Sequence, residues 1–132
     1  MPAPISIIIP TLNAEEALTP CLEALMEGLE AGLVRELIVV DADSQDATGA
    51  VAQAWGANVM TAAPSRGGQL RAGCEAAKGD WLLVLHADTC LATGWAEVAR
   101  RHMKESDRAG YFRLRFDRGG LPALLVAPPI CL

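Results

Sequence analysis

Along the chain, short β-branched apolar runs alternate with segments whose apolar residues recur every three or four positions. Ile5, Ile7, Ile8 and Ile9 form the first run, closed by Pro10, and predict a buried strand. Beyond it Ala14, Ala17, Leu18, Cys21, Leu22, Leu25, Met26 and Leu29 mark one apolar face of a helix that Gly32 ends. Thr19-Pro20 inside that pattern fits an N-cap and a first helical position, so the helix either starts there or is kinked there. Residues 36–40 predict a second strand, closed by Asp41-Ala42-Asp43-Ser44. A helix is expected over 46–55 with Gly56 as its stop, then a third strand over 58–61. Gly67-Gly68-Gln69-Leu70-Arg71 opens a further helix that stops at Gly79, before the strand WLLVL at 81–85. Residues 93–105 predict another helix, with Thr93 as its cap, and residues 111–116 alternate as a half-exposed strand does.

Strands and helices alternating at this spacing imply right-handed crossovers. The expected fold class is α/β, a mostly parallel Rossmann-like sheet with helices on both faces, forming a single domain over 1–132. In open sheets of this kind ligands lie beyond the carboxyl ends of the strands. That rule picks out Pro10-Thr11-Leu12-Asn13, then Asp41-Ala42-Asp43-Ser44, then His86-Ala87-Asp88. Each cluster alone reads as an ordinary turn or cap; three of them behind three buried strands point to one shared edge. If the last strand stays extended, His86 and Asp88 face the same way.

Composition narrows the class. At 132 residues, with 52% hydrophobic and 20% charged residues, the chain has the balance of a globular domain. No apolar run reaches the roughly 20 residues that span a bilayer, and the start of the chain has no basic region of the kind that opens a signal peptide. Cys21, Cys74, Cys90 and Cys131 show no CxxC spacing and read as reduced thiols, so the expected location is cytoplasmic. The net charge of −5 is unevenly spread: residues 1–99 hold 4 basic and 13 acidic side chains, residues 100–118 hold 7 and 3. An acidic body argues against nucleic acid as partner. The basic segment reads first as a solvated helix face and strand, with attraction to phosphates or a peripheral contact with anionic lipid as the alternative.

Acidic groups at the sheet edge can bind a divalent cation, and the cation a diphosphate. Hard Mg²⁺ takes carboxylate, water and phosphate oxygens, while Mn²⁺ also accepts imidazole. Asp88 is the expected metal ligand; for His86, ligation of Mn²⁺, a phosphate contact and a local hydrogen bond all stay open. Asp41 is expected to accept from a base N–H or a ribose hydroxyl, and Asp43 to cap the next turn together with Ser44 and Asp46. Glycines and arginines around the helix start at 65–71 suit an anion, through helix amides and an arginine fork. Arg66 and Arg71 are five apart and do not share a face of one helix. No GxGxxG follows the first strand, no GxxxxGK[ST] occurs, and no nucleophile elbow is present.

Together these segments resemble the amino-terminal half of the family 2 glycosyltransferases, which have the GT-A fold. "ISIIIPTLNAEEAL" resembles that family's opening strand and loop, and "LIVVDADSQDAT" its VVDDGSxDxT segment. "RGGQLRAGCEAAKGDWLLVLHADT" resembles the arginine-bearing helix and the strand that carries the DxD metal motif. The resemblance covers about residues 5–90, and its HADT ending is most similar to a subgroup of small bacterial transferases associated with radical-SAM and selenium-related genes. It implies a nucleoside-diphosphate-sugar donor (a UDP-sugar favoured), a divalent cation (Mn or Mg), and transfer to an unknown acceptor with inversion. By matching positions, Pro10, Thr11, Asn13 and Asp41 would hold the nucleoside, Arg66 or Arg71 the base or diphosphate, and Asp88 the metal. The first DxD aspartate is His86 here.

The family's general base comes from a later segment, and nothing after Asp88 matches it, although Asp117 is available. The tail LPALLVAPPICL (121–132) is apolar and abrupt, so the chain is expected to be a C-terminally shortened transferase domain. The alternative is a non-catalytic module of the same fold acting in assembly, as a homodimer through that apolar C-terminal segment. A nucleotidyltransferase would need a glycine-rich basic loop directly after the first strand, which this chain lacks.

Overall fold

The computed structural model describes residues 2–114 and the short strand Leu125–Val126. Asp117 and most of the apolar 121–132 segment, with the dimer expected through it, lie outside the described residues, as does Cys131. The elements run β1 (Ile5–Thr11), α1 (Glu15–Glu30), β2 (Val34–Asp41), α2 (Thr48–Ala54), β3 (Asn58–Thr61), α3 (Arg66–Ala76), β4 (Trp81–Val84) and α4 (Trp95–Glu105). The order in the sheet is β3-β2-β1-β4 and all three pairings are parallel. Of the half-exposed strand expected at 111–116, Arg113–Leu114 form β5, which pairs antiparallel with β6 (Leu125–Val126) apart from the main sheet, and positions 115 and 116 lie outside the described residues.

Two sequential crossovers carry the chain from β1 to β3 in one direction, and the third returns it past β1 to β4. Right-handedness therefore puts α1 and α2 on one face and α3 on the other. Alternation along β1 serves both layers. Ile5, Ile7 and Ile9 join Leu18, Leu22, Leu25 and Trp95 in the larger core, while Ile8 packs with Ile38 and Val40 under α3. The central strand β1 and the second half of β2 are thus buried on both faces, as their near-continuous apolar sequence requires, while the edge strand β3 is only partly covered. No helix among the described residues is long and apolar enough to cross a membrane.

Three boundaries depart from the local pattern. Helix α1 begins at Glu15, so Thr19-Pro20 lies inside it. Pro20 is exposed, and the Glu16 carbonyl it leaves without an N–H belongs to another exposed residue that water reaches. Helix α2 starts at Thr48, because Asp46 accepts from the Thr48 amide at 3.0 Å and from the Thr48 hydroxyl. Helix α4 is capped not by Thr93 but by Gly94, left-handed at φ 97°, whose N–H and that of Ala96 both donate to the Glu27 carboxylate at 2.8 Å. A carboxylate from α1, 67 residues away, satisfies amides that a local threonine would otherwise serve.

Strand β1 also runs through Pro10 to Thr11. The Ile8 carbonyl accepts from Leu85 on the β4 side, so Pro10, two residues on, faces that side just past the end of β4. Its missing N–H breaks no ladder bond there. The gap between β1 and β4 that opens at this point is the topological switch point of the sheet.

Candidate functional site

At that gap lies a cavity of about 610 Å³, lined by the loop from Pro10 to Ala14, by Ala17, by the segment entering α3 (Pro64, Ser65, Arg66, Gln69), and by His86, Ala87 and Asp88. Its size falls within the range of small-ligand pockets, roughly 300–1,000 Å³. Pro10, Thr11, Asn13, Arg66, His86 and Asp88 are thus brought together on one wall-to-wall surface. His86 and Asp88 reach it by a turn and not by strand alternation: β4 stops at Val84, and the Thr89 amide donates to the His86 carbonyl at 3.1 Å.

The first wall is held by a relay between loops. Asp41, 7% exposed, accepts from the Thr11 hydroxyl at 2.6 Å, from the Ser44 hydroxyl at 2.6 Å and from the Ser44 amide at 2.8 Å. The Ser44 oxygen in turn accepts from the Asn13 amide at 2.8 Å, and the Asn13 side chain accepts from the Gln45 amide at 2.8 Å. Asn13 and Asp43 both sit in the left-handed region, at φ 49° and 58°, where Asn and Asp are the better tolerated side chains. Asp41 is therefore below the cavity surface, joined to it through Thr11, and both its oxygens are engaged inside the protein.

The capping expected of Asp43 is performed by its neighbours. Asp46 accepts from Thr48 and, at 3.2 Å, from the Glu15 amide, so one carboxylate serves the amino ends of both α1 and α2. The Thr48 hydroxyl, with the Thr48 and Glu15 amides, holds the Asp46 carboxyl below its ordinary value. The Thr48 oxygen also accepts from the Ala14 amide at 2.9 Å.

The second wall is the start of α3. Ser65 is extended and its hydroxyl accepts from the Gly68 amide at 3.2 Å, which makes Arg66 the first helical residue and sets it at the cavity rim. Arg71 lies outside the cavity, exposed and paired with Glu75 at 3.3 Å, so the structure separates the two arginines that the sequence left equivalent. Helix α3 approaches the sheet closely because residue 73 is glycine: a Cβ there would lie 2.6 Å from Ile8 Cγ2 and 3.1 Å from Val40 Cγ2.

Gln69 was not among the expected site residues. It is buried, lines the cavity, and its Nε2 donates to the carbonyls of Thr11 at 3.0 Å and Val40 at 2.8 Å. The available signal was a polar residue four before Gly73, on the face that α3 turns to the sheet.

Beneath the third wall, the His86–Asp88 segment, burial, then the neighbouring Cys90 and Asp88, push the Cys21 thiol up to about 12. Burial, then Glu23 and Asp88, also raise Cys90. Among the described residues no three His, Cys, Asp or Glu side chains cluster as a metal-binding set. A single carboxylate facing an open cavity fits a hard cation that keeps its waters and shares ligand phosphate oxygens.

The chain matches the family model of Glycosyl transferase family 2 over residues 6–123. No curated protein matches it. Among solved structures it is similar to Staphylococcus aureus TarS 1-349, with 22% identity and a TM-score of 0.66 over 77% of this chain and 32% of that one. At that identity the likeness speaks for the fold. It is also similar to Mycobacterium tuberculosis glucosyl-3-phosphoglycerate synthase in complex with Mn²⁺, UDP and glucosyl-3-phosphoglycerate, with 29% identity and a TM-score of 0.59 over 67% and 36%. The same synthase with UDP gives 32% identity and a TM-score of 0.59 over 65% and 34%. The chain spans about a third of the length of these structures.

Proposed function

The chain belongs to glycosyltransferase family 2, and from that premise we propose that it binds a nucleoside-diphosphate sugar, UDP-linked by preference, in the cavity between β1 and β4 and transfers the sugar with inversion. The observation that carries this reading is the convergence of Thr11, Asn13, Arg66 and Asp88 on one cavity at the switch point of the sheet. The synthase at 29% identity was crystallised in complex with UDP and Mn²⁺, which supports the same ligand class here.

In this reading the nucleoside lies against the Pro10–Asn13 loop, whose shape the Asp41–Ser44–Asn13 relay sets in advance. Arg66 reaches the diphosphate from the start of α3, where its fork suits phosphate oxygens. Asp88, with His86 beside it, would hold a divalent cation, which would supply stabilisation of the negative charge on the leaving nucleoside diphosphate. Inverting transfer forms the new C–O bond on the face opposite that leaving group, and a base takes the acceptor hydroxyl proton. The described cavity residues perform the donor half: they bind, orient and neutralise.

Calorimetric titration with UDP, with and without Mn²⁺, tests this. Saturable UDP binding that Mn²⁺ strengthens, with the metal-dependent part lost in Asp88→Ala, is expected. Failure of UDP, GDP, CDP and ADP alike to bind would overturn it. Release of UDP from a UDP-sugar, and not of pyrophosphate, identifies glycosyl transfer over nucleotidyl transfer.

A further inference from the structure

Resting on that reading, we infer that Gln69 is a positioning residue: its grip on two strand carbonyls fixes the start of α3 and so holds Arg66 in reach of the donor diphosphate. Helix α3 has only two buried residues, Gln69 and Gly73. Gly73 lets the helix come close, since a Cβ there would lie 2.6 Å from Ile8 Cγ2, but it has no side chain with which to lock a tilt. Leu70 is half-buried against Ile8, Ile38 and Val40, and apolar contact of that kind is non-directional. The directional ties come from Gln69. Its Nε2 donates to the carbonyls of Thr11 at 3.0 Å and Val40 at 2.8 Å. Carbonyls only accept, so the NH₂ group is the end turned toward them, and both its N–H bonds are used. Among the described residues no other hydrogen bond joins the segment 64–69 to β1 or β2.

The grip reaches Arg66 through one turn of helix. The Gln69 amide closes that turn on the Ser65 carbonyl at 2.7 Å, and Arg66 is its first residue, exposed at the cavity rim. The same side chain reaches the facing wall. The Thr11 carbonyl it holds also accepts from the Ala42 amide at 2.9 Å, so the peptide leading into the loop toward Asn13 is fixed from two sides. Without the two N–H donors the start of α3 is free to pivot about Gly73. A shift of about 1 Å there takes an arginine–phosphate hydrogen bond out of range, and a misplacement of that size costs up to about 100-fold.

The test is calorimetric titration of the full chain with UDP and with uridine, in a double-mutant cycle of Gln69→Met and Arg66→Ala. Methionine keeps the length of the side chain and removes its donors. Arg66→Ala is expected to weaken UDP by about 10- to 50-fold, as loss of a charge-assisted contact does, and uridine by less than about twofold. Gln69→Met should weaken UDP by about 5- to 20-fold with uridine again within about twofold. In the Arg66→Ala background it should cost UDP less than about twofold, because the arm it positions is gone. Equal weakening of UDP and uridine by Gln69→Met, or losses that multiply in the double variant, would show a packing role alone and overturn the inference. Gln69→Asn keeps the inference falsifiable if Gln69→Met folds poorly. Its amide is one methylene too short for both carbonyls, and a UDP-to-uridine ratio equal to wild type overturns the inference as well. UDP binding that Arg66→Ala leaves unchanged overturns this inference while the donor reading stands; failure of the wild-type chain to bind any nucleotide overturns the donor reading itself.

Discussion

Replacing Asp41 by alanine separates a carboxylate that builds the site from one that merely waits for a ligand. The side chain accepts three hydrogen bonds from residues of two loops, at 2.6, 2.6 and 2.8 Å, and is 7% exposed. Each bond to a charged acceptor contributes about 1.5–3 kcal/mol. Their sum is offset by relieving the desolvation of the carboxylate, several kcal/mol in its own right. Asp41→Ala removes the charge itself and leaves two hydroxyls and an amide without their acceptor, at about 1–3 kcal/mol for each buried group, so we expect a net loss of about 3–5 kcal/mol. Against a total stability of roughly 5–15 kcal/mol that is a large fraction. With a urea slope near 1.5 kcal/mol/M, the unfolding midpoint should drop by about 2–3 M. Asp41→Asn keeps the shape and one acceptor, which the Ser44 amide claims, so its loss should be nearer 1–2 kcal/mol. Urea denaturation followed by circular dichroism reads both. A midpoint for Asp41→Ala within about 0.3 M of wild type, accompanied by lost nucleotide affinity, would mean that Asp41 is a ligand contact and that the relay is incidental.

Other expectations follow from the same geometry. Gly73→Val should destabilise by about 2–3 kcal/mol, because a Cβ already meets Ile8 at 2.6 Å, whereas Gly67→Ala in the same helix, where nothing lies within 4 Å, should be neutral or stabilising in the same denaturation assay. Cys21, its thiol pushed up to about 12, should resist a thiol-specific reagent at pH 8 in the folded chain and react once urea is added. Acid should weaken the fold through Asp46, lowered from 3.8, and Glu36, lowered from 4.5 because hydrogen bonds from Ser6 and the Lys78 amide outweigh its burial. The stability these groups contribute is present above those ordinary values and is lost as pH falls below them. Denaturation midpoints should therefore fall below pH 4 more steeply in the wild-type chain than in Asp46→Asn.

Local pattern was enough to determine the order of strands and helices over residues 5–105, because burial on both faces writes itself as continuous apolar runs and burial on one face as a 3.6-residue period. It also brought the loops at 10–13 and 86–88 to one cavity, since parallel strands bring their carboxyl ends to one edge. The loop at 41–44, by contrast, meets the first of them through Asp41 and Ser44 without lining the cavity, and the segment entering α3 takes that wall instead. The ends of helices and the roles of single polar residues were decided only in three dimensions. Glu27 caps α4 across 67 residues, and the Thr11 hydroxyl finds Asp41 across 30; neither partner is visible in a window of one turn or one strand. The phase of α3, set by the Ser65 cap, the close approach at Gly73 and the grip of Gln69 on two strand carbonyls, turns Arg66 to the cavity and leaves Arg71 to Glu75. Pattern reports which side of an element is apolar; which polar atom meets which depends on the distance and angle between elements, and those are set by how whole faces pack.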